Sequence, residues 1–160
     1  MPAHNSDVAS MFEELADILE IEGANPFRVR AYRNAARSVE GISSRLQDVV
    51  HQGEDLTRYP GIGQELAAKI KEIVHTGSLS ALEEARQRVS PELVSLLQIK
   101  GLGPKRVKTL HDKLGVNTLA DLQQAATQGD VAQLSGFGAT LQKSILEETE
   151  RFQGEEKRYK

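Results

Sequence analysis

Three short glycine-containing segments recur along this chain of 160 residues, and they limit its fold more than any other feature. Each segment has an apolar residue between two glycines, and the central residues are Ile62, Leu102 and Phe137. Nine positions after the first glycine, each copy has an aliphatic residue, which is Ile70, Leu110 or Ile145. Self-similarity of this kind is typical of one supersecondary unit used several times. The pattern predicts a helix, a tight hairpin and a second helix, repeated three times.

The rest of the sequence predicts helices and no strands. Apolar residues recur at three- and four-residue spacings, and no stretch shows sustained alternation with β-branched residues. Asn5, Ser6 or Asp7 is expected to cap the first helix, and Asn25 followed by Pro26 begins the second. The expected helices cover residues 8–22, 27–39, 44–51, 104–114, 118–127 and 139–152, with two more beginning at Ser78 or Ser80 and at Pro91.

These helices predict an all-α fold with two small domains. The first covers residues 1–85 and contains the first hairpin, whereas the second covers residues 88–152 and contains the other two. Aromatic residues make up only 4% of the chain and tryptophan is absent, so the cores must consist of Leu, Ile, Val and Ala, a mixture that favours helices. The polar residues 153–160 are expected to be a frayed tail or to have been cut from something longer.

Several classes of site are excluded or disfavoured by composition. The chain has no cysteine, which excludes disulfides, thiolate metal sites and cysteine nucleophiles. Its four histidines are scattered, with no pair four residues apart, so a histidine cluster is not indicated. No apolar run is long enough to span a bilayer, and no signal peptide is evident, so a cytoplasmic location is expected.

The charge of the chain is segregated along the sequence. A net charge of −3 argues against nucleic-acid binding when taken alone. However, residues 11–24 carry five acids and no base, residues 25–39 carry four arginines and no acid, and residues 100–111 carry Lys100, Lys105, Arg106 and Lys108 with no acid. Because phosphate binding depends on the local field, these basic segments are compatible with a DNA-binding surface.

Each Gly-apolar-Gly loop is a candidate phosphate site. The first N–H groups of the following helix lack partners and lie at its positive end, and glycine lets a phosphate approach closely. Such contacts read the DNA backbone and carry no sequence specificity. The residues expected to line these sites are Gly61, Ile62, Gly63, Gly101, Leu102, Gly103, Gly136 and Gly138, with Lys69, Lys71, Lys105, Arg106, Lys108 and Lys143 nearby.

The alternative is that these loops are only tight turns between helices. This alternative is strongest for the third copy, whose central residue is Phe137 and whose flanks carry a single lysine. A dinucleotide site is not expected, because no strand precedes any loop and the full Gly-x-Gly-x-x-Gly pattern is missing.

The predicted helix over residues 27–39 has a basic face. Arg30, Arg33 and Arg37 share it by three- and four-residue spacing, whereas Phe27, Ala31 and Ala35 lie on another side. Tyr32 is expected to stack on a sugar or base, or to hydrogen-bond a phosphate. In the alternative interpretation, the arginines pair with the acidic first helix through Glu13, Asp17 or Glu20.

These motifs together resemble the N-terminal region of the family X DNA polymerases. Residues 59–63, followed by Ala67, Ala68, Lys69 and Ile70, resemble the first helix-hairpin-helix of that family, and residues 99–104 resemble the second. Residues 20–36 are similar to the bacterial members, and the resemblance covers residues 5–150. It implies a polymerase beta-like domain that binds the 5′-phosphate side of a DNA gap, followed by a fingers-type domain. Gapped, nicked or 5′-phosphorylated DNA in base excision repair is the implied partner, and the bacterial nucleoid the implied location.

The resemblance also implies a deoxyribose-phosphate lyase site. Its Schiff-base lysine falls on Lys69, its pocket tyrosine on Tyr32 and one phosphate-binding residue on Arg28. Two further phosphate-binding lysines of the family fall on Glu65 and Ala81, which are departures, so Arg30 or Arg33 would have to compensate. The chemistry needs a neutral amine, which the nearby Glu65 and Glu72 oppose. The alternative is that Lys69 is a solvated lysine that contacts backbone phosphate.

Other parts of the family are missing from this sequence. It has no Asp-x-Asp pair of the polymerase palm and too few histidines for the phosphoesterase domain of bacterial members, so this chain alone is not expected to polymerise or digest DNA. It is either part of a longer polymerase or a free-standing DNA-binding protein. A third alternative is a helical protein-protein adaptor. No cofactor is obligatory, but loops of this kind can hold Na⁺ or K⁺, here through the main-chain carbonyls of Tyr59, Ile62, Leu97, Ile99 and Leu102.

Overall fold

The computed structural model describes the backbone of residues 4–158 and the side-chain surroundings of residues 4–152. The described residues form helices and turns with no strand, so the predicted all-α fold is confirmed. Two short 3-10 helices, Leu56–Arg58 and Leu96–Gln98, precede the first and second hairpins. The α-helices are α1 (Asn5–Ile21), α2 (Pro26–Glu40), α3 (Leu46–His51), α4 (Gln64–Thr76), α5 (Ser80–Arg88), α6 (Pro91–Ser95), α7 (Pro104–Leu114), α8 (Leu119–Thr127) and α9 (Gly138–Arg158).

The start of α1 differs from the prediction. His4 is its N-cap, and the backbone N–H of His4 donates to the carboxylate of Asp7 at 2.9 Å. Asn5 serves another helix instead, because its side-chain oxygen accepts from the backbone N–H of Leu46 at 2.9 Å, where α3 begins. For α2 the predicted cap is confirmed, since the Asn25 side chain accepts from the N–H of Phe27 at 2.8 Å.

The end of α9 also differs from the prediction. The helix continues to Arg158, whereas residues beyond Phe152 were expected to be a frayed tail. The reason is that polar composition does not by itself end a helix. Gln, Glu, Lys and Arg all have high helix propensity, and the single glycine at position 154 costs only about 1 kcal/mol relative to alanine.

The chain divides into two compact units, of which one ends at Arg88 and the other begins at Val89. In the first unit, α1 packs along α2 and α5, and α3 packs against α4. The core is aliphatic apart from two aromatic rings, Phe12 and Tyr32. Its largest fully buried side chains are Phe12, Leu15, Ile18, Leu46, Leu56, Ile70, Ile73, Leu79 and Leu82.

The buried face of α2 differs from the side on which the sequence places Phe27, Ala31 and Ala35 together. Val29, Tyr32, Ala36 and Val39 recur at three- and four-residue spacings and are all buried, together with Ala35. Phe27 and Ala31 fall off this stripe and are exposed, Phe27 with 75% of its surface. Burial along this stripe turns one side of α2 to the core and leaves an aromatic ring among arginines at its exposed start.

The second unit has its own apolar core, built around the second and third hairpins. Helix α8 packs against α9, and α7 lies next to the 3-10 helix that precedes the second hairpin. Val107 and Leu110 on α7, Leu122 on α8 and Ile145 on α9 are fully buried. The buried hydroxyl of Thr149 donates to the carbonyl of Leu146 at 3.0 Å, which satisfies it within α9.

We expect Leu110→Ala to lower the free energy of unfolding by about 2–5 kcal/mol, the usual effect of deleting a buried leucine side chain. The residue is fully buried, so the change would leave a cavity in the second unit. Urea denaturation followed by circular dichroism measures this loss. The exposed Gln124 on the same unit provides the control, and a Gln124→Ala variant as unstable as Leu110→Ala would contradict the assignment of the core.

Candidate nucleic-acid interface

All three hairpins contain the same turn. The N–H of the central apolar residue donates to the carbonyl three residues earlier, at 3.2 Å in the first hairpin, 3.0 Å in the second and 3.1 Å in the third. The intervening glycines, Gly61, Gly101 and Gly136, have φ of 77°, 93° and 82°, as the third position of a type II turn requires. Ile62, Leu102 and Phe137 are buried, which anchors each turn. The repeat predicted from sequence is therefore a repeated turn with a repeated apolar anchor.

The first and second hairpins also share the start of the next helix. Gly63 and Gly103 are extended N-caps of α4 and α7, with φ of −85° and −95°, and their carbonyls accept the first helical hydrogen bonds. At the first hairpin, the N–H groups of Gly63, Gln64 and Glu65 have no acceptor among the described residues. At the second, Pro104 has no N–H, so Gly103, Lys105 and Arg106 supply the free amides. Both helix starts are exposed and can receive an anion.

The third hairpin departs from this geometry. Gly138 has φ of 75° and begins α9, whereas the corresponding glycines of the other hairpins are extended. Residues 129–137 form turns, so the helix expected directly before this hairpin is replaced by turns. The first two hairpins thus share features that the third lacks, in keeping with the weaker signal of the third copy in the sequence.

Arg106 connects the second and third hairpins. Its guanidinium donates to the carbonyls of Gly101 at 2.8 Å and Gly136 at 3.3 Å, and it lies over the ring of Phe137 at 5.7 Å from the centroid. Gly101 lies close to α9, because a Cβ atom there would be 2.9 Å from Leu141. Two carbonyls therefore occupy part of the guanidinium, and its remaining N–H groups are what a phosphate would have to use.

The lysines near the second hairpin differ in their surroundings. Lys105 is exposed and has no carboxylate partner among the residues that the structure describes. Lys108 pairs with Asp112 one turn further along α7, and this hydrogen bond lowers the pKa of the Asp112 carboxyl. Lys105 therefore offers more of its charge to an incoming phosphate than Lys108 does.

Lys69 lies on α4, eight residues after Gly61, with 20% of its side chain exposed. Its ammonium group is 3.6 Å from the carboxylate of Glu65. Glu72, the other acid expected beside it, accepts from the N–H of Ser80 at 2.8 Å and from its hydroxyl, and these bonds lower the pKa of Glu72. Of the two acids, Glu65 is the one paired with Lys69.

Arg33 faces the acidic helix α1. Its guanidinium lies 3.0 Å from Glu13, 3.0 Å from Asp17 and 2.7 Å from Glu20, and only 23% of its side chain is exposed. Burial opposes its charge, but hydrogen bonds to Glu20 and Asp17 outweigh this effect and raise the pKa of Arg33. For this residue the geometry matches the alternative of pairing with α1, because a phosphate would have to displace three carboxylates.

The other arginines of α2 are exposed. Arg28, Arg30 and Arg37 have no carboxylate partner within the described part of the chain. Arg30 lies over the ring of Phe27 at 4.7 Å from the centroid, a cation–π contact at the exposed start of the helix. The exposure of Phe27 was missed from the sequence, because only the actual register of the buried stripe reveals it.

Tyr32 cannot stack on a base, contrary to one of its two predicted roles. Only 3% of its surface is exposed, and its ring packs against Phe12 with centroids 5.9 Å apart. No hydrogen bond to its hydroxyl is present in the described residues, and its predicted hydrogen bond to a phosphate stays a prediction.

The described side chains do not form a metal-binding site. Among the described residues, no three His, Cys, Asp or Glu side chains are grouped so as to hold a metal ion. His51 and His75, far apart in sequence, do come together, with ring centroids 6.3 Å apart. The carbonyls of Tyr59 and Ile99 each accept one hydrogen bond in their turns, and the cation predicted at the hairpin carbonyls stays a prediction.

No helix in the described range is long and apolar enough to cross a membrane.

Comparison with known protein families agrees with this geometry. Residues 3–79 match the family described as a helix-hairpin-helix domain, and residues 93–151 match the one described as a SAM-like helix-hairpin-helix tandem. Each of the two units therefore contains a segment similar to a helix-hairpin-helix family.

Two curated relatives indicate which known proteins this chain is similar to. The chain is 35% identical over 144 residues to the DNA polymerase/3'-5' exonuclease PolX of Bacillus subtilis, covering 90% of this chain and 25% of that protein. It is 32% identical over 123 residues to DNA polymerase lambda of Arabidopsis thaliana, covering 76% of this chain and 22% of that protein. The chain therefore spans about a quarter of the length of these relatives. It is homologous to the N-terminal region of the family X DNA polymerases, which confirms the resemblance seen in its motifs.

We expect Gly101→Ala to destabilise the protein by about 1–2 kcal/mol, because alanine is strained at a φ of 93° and its Cβ would press on Leu141. Gly103→Ala is the matched control, since Gly103 is extended and no atom lies within 4 Å of a Cβ placed there. Thermal denaturation of the two variants provides the comparison. Equal melting temperatures would show that the turn does not require a left-handed glycine.

Proposed function

We propose that this chain binds DNA without sequence specificity, through phosphates held at the first and second hairpins. The observation that carries the proposal is the shared backbone of these hairpins. A left-handed glycine is followed by a buried apolar anchor and then by an extended glycine, Gly63 or Gly103, at an exposed helix start. Free amides and the positive end of the helix dipole converge there, an arrangement suited to one anionic oxygen group.

Basic side chains beside the hairpins support phosphate as the anion. Lys105 adjoins the second hairpin, and Lys69 and Lys71 lie on the helix that follows the first. Arg28 and Arg30 add exposed positive charge in the first unit. Because amides and ammonium groups contact only the sugar-phosphate chain, all sequences would bind similarly.

The DNA form that we propose is gapped or nicked DNA with a 5′-phosphate, in repair. Homology to polymerases supports this choice, because a polymerase acts where a strand ends. On this proposal the chain serves as the DNA-holding module of a family X polymerase, while the nucleotidyl transfer belongs to parts that this sequence does not contain. Association with chromosomal DNA in the nucleoid and a Na⁺ or K⁺ ion at the hairpin carbonyls remain predictions.

We expect Lys105→Gln to weaken binding to gapped DNA by about threefold to tenfold, since one exposed charge is removed from the second hairpin. The slope of log affinity against log salt concentration should become shallower by about 0.9, the value for one lost phosphate contact on duplex DNA. Fluorescence anisotropy across a salt series measures both quantities.

Lys113→Gln provides the control for this variant. Lys113 is an exposed lysine on the same helix but about 12 Å further along it, at the end away from the hairpin. Its loss should leave the salt slope nearly unchanged. If wild-type protein shows no affinity for gapped DNA, or an affinity independent of salt, the protein-adaptor alternative replaces DNA binding.

Lyase chemistry at Lys69 is a separate prediction with less structural support. It needs an uncharged amine, and the charged group within ion-pair distance of Lys69 in the described structure is the carboxylate of Glu65. We expect borohydride trapping on a 5′-deoxyribose-phosphate end to give a covalent adduct through Lys69. Any adduct should disappear in Lys69→Ala. Adduct that persists in Lys69→Ala would exclude this lysine as the nucleophile.

A further inference from the structure

An open cleft lies in the first unit, between the C-terminal half of α2 and the first hairpin. Its volume is about 720 Å³. One wall is formed by Asn34, Arg37 and Ser38, the loop after α2 forms the floor, and residues 59–61 form the other wall. Gly61 belongs both to this cleft and to the hairpin, and a Cβ placed on it would lie 3.9 Å from Asn34. The hairpin and the end of α2 therefore form one continuous surface.

Five polar side chains of the cleft have no hydrogen-bond partner among the described residues. Within the described residues, the side chains of Asn34, Arg37, Ser38, Ser43 and Ser44 make no hydrogen bond to the rest of the chain. These five polar side chains are therefore available to a ligand in the cleft.

The charge of the cleft favours an anion. Among the residues that the structure describes, Arg37 is the only charged one that lines it, and no carboxylate does. The last carbonyls of α2 do not offset this charge freely, because those of Arg37, Ser38 and Val39 already accept from the N–H groups of Gly41 and Ile42. An anionic ligand would thus meet a guanidinium and hydroxyl donors without an opposing carboxylate.

The size and the apolar wall of the cleft point to more than a bare phosphate. Its volume lies within the range of about 300–1,000 Å³ that is typical of small-ligand sites. The ring of Pro60 is exposed, and that of Tyr59 is half-buried, so the hairpin wall offers apolar area for a sugar or base opposite Arg37. A nucleotide combines these two requirements, because it has an anionic phosphate and a flat, largely apolar base.

We propose that this cleft binds one unpaired nucleotide of gapped DNA, with its phosphate at Arg37 and the serine hydroxyls and its sugar or base against Tyr59 and Pro60. The inference rests on the proposed function, because the strand enters the cleft from the phosphate held at the first hairpin. The nucleotide is expected to be unpaired, because a base within a duplex would first have to unstack and unpair, at a cost that an unpaired base avoids.

The test compares two variants on two DNA molecules. Gapped DNA with a 5′-phosphate and continuous duplex of the same sequence are titrated with Arg37→Gln and with Arg45→Gln, both measured by fluorescence anisotropy. Arg45 is an exposed arginine that lies just outside the cleft, so it matches the charge change. We expect Arg37→Gln to lose about fivefold to tenfold in affinity for gapped DNA, as for one charge-assisted hydrogen bond, and less than about twofold for duplex. Arg45→Gln should affect both DNA molecules alike.

A second variant tests the cleft without changing its charge. Ser43 is exposed, so Ser43→Phe should fold normally, which circular dichroism checks, and its ring would fill part of the cleft. It should weaken binding to gapped DNA and spare binding to duplex.

Three outcomes overturn the inference. If Arg37→Gln lost equal affinity for gapped and duplex DNA, Arg37 would contribute only to the general electrostatic attraction of DNA and would not bind the unpaired nucleotide. Unchanged affinity of Ser43→Phe or of Arg37→Gln for gapped DNA would show that the cleft is empty in the complex. In both cases normal binding by wild-type protein leaves the proposed function intact, whereas failure of wild-type protein to bind either DNA removes the function and the cleft's role together.

Discussion

The hydrogen bond that closes each hairpin is the constraint on which the rest of the structure depends. It forms only if the glycine before the central apolar residue adopts a left-handed conformation, which L side chains rarely tolerate. Once it is closed, the apolar side chain is directed into the core and the next helix starts at a fixed place. In the first two hairpins this geometry leaves an extended glycine and free amides at the surface. Fold and candidate function therefore share one local cause.

This acidic chain presents exposed arginines on α2 because much of its negative charge is paired elsewhere. Many of its carboxylates are engaged internally: Arg33 meets three acids of α1, and Arg86 and Arg88 of α5 pair with Glu14 and Glu22 at 2.6 Å and 2.8 Å. The exposed pairs of Arg86 and Arg88 add little stability, but each of these pairs engages an acid that could otherwise oppose the remaining arginines of α2. The net charge of −3 therefore says little about the field near the hairpins.

Much of the fold was predictable because its signals are local. Proline after Asn25 and Gly115 after α7 mark helix ends by backbone chemistry, and the Gly-apolar-Gly repeat specifies the turns. The features that the sequence did not predict depend on tertiary contacts. The burial of Tyr32 and the exposure of Phe27 follow from the rotation of α2 against its neighbours, which residue spacing alone does not determine. Pairing of Arg33 with α1 was one of two alternatives that the sequence offered, and only the tertiary contacts decide between them. The role of Asn5 at the start of α3 could not be predicted from local sequence patterns, because its partner Leu46 lies 41 residues away.

The contact between Arg106 and two hairpins has a consequence for how this surface responds to its solvent. Its acceptors are main-chain carbonyls, which carry no net charge, so added electrolyte screens this contact far less than it screens a lysine near a phosphate. Raising the ionic strength would thus release bound nucleic acid while the second and third turns stay joined. The surface would remain assembled in its empty state, ready to bind again without a cost in reordering.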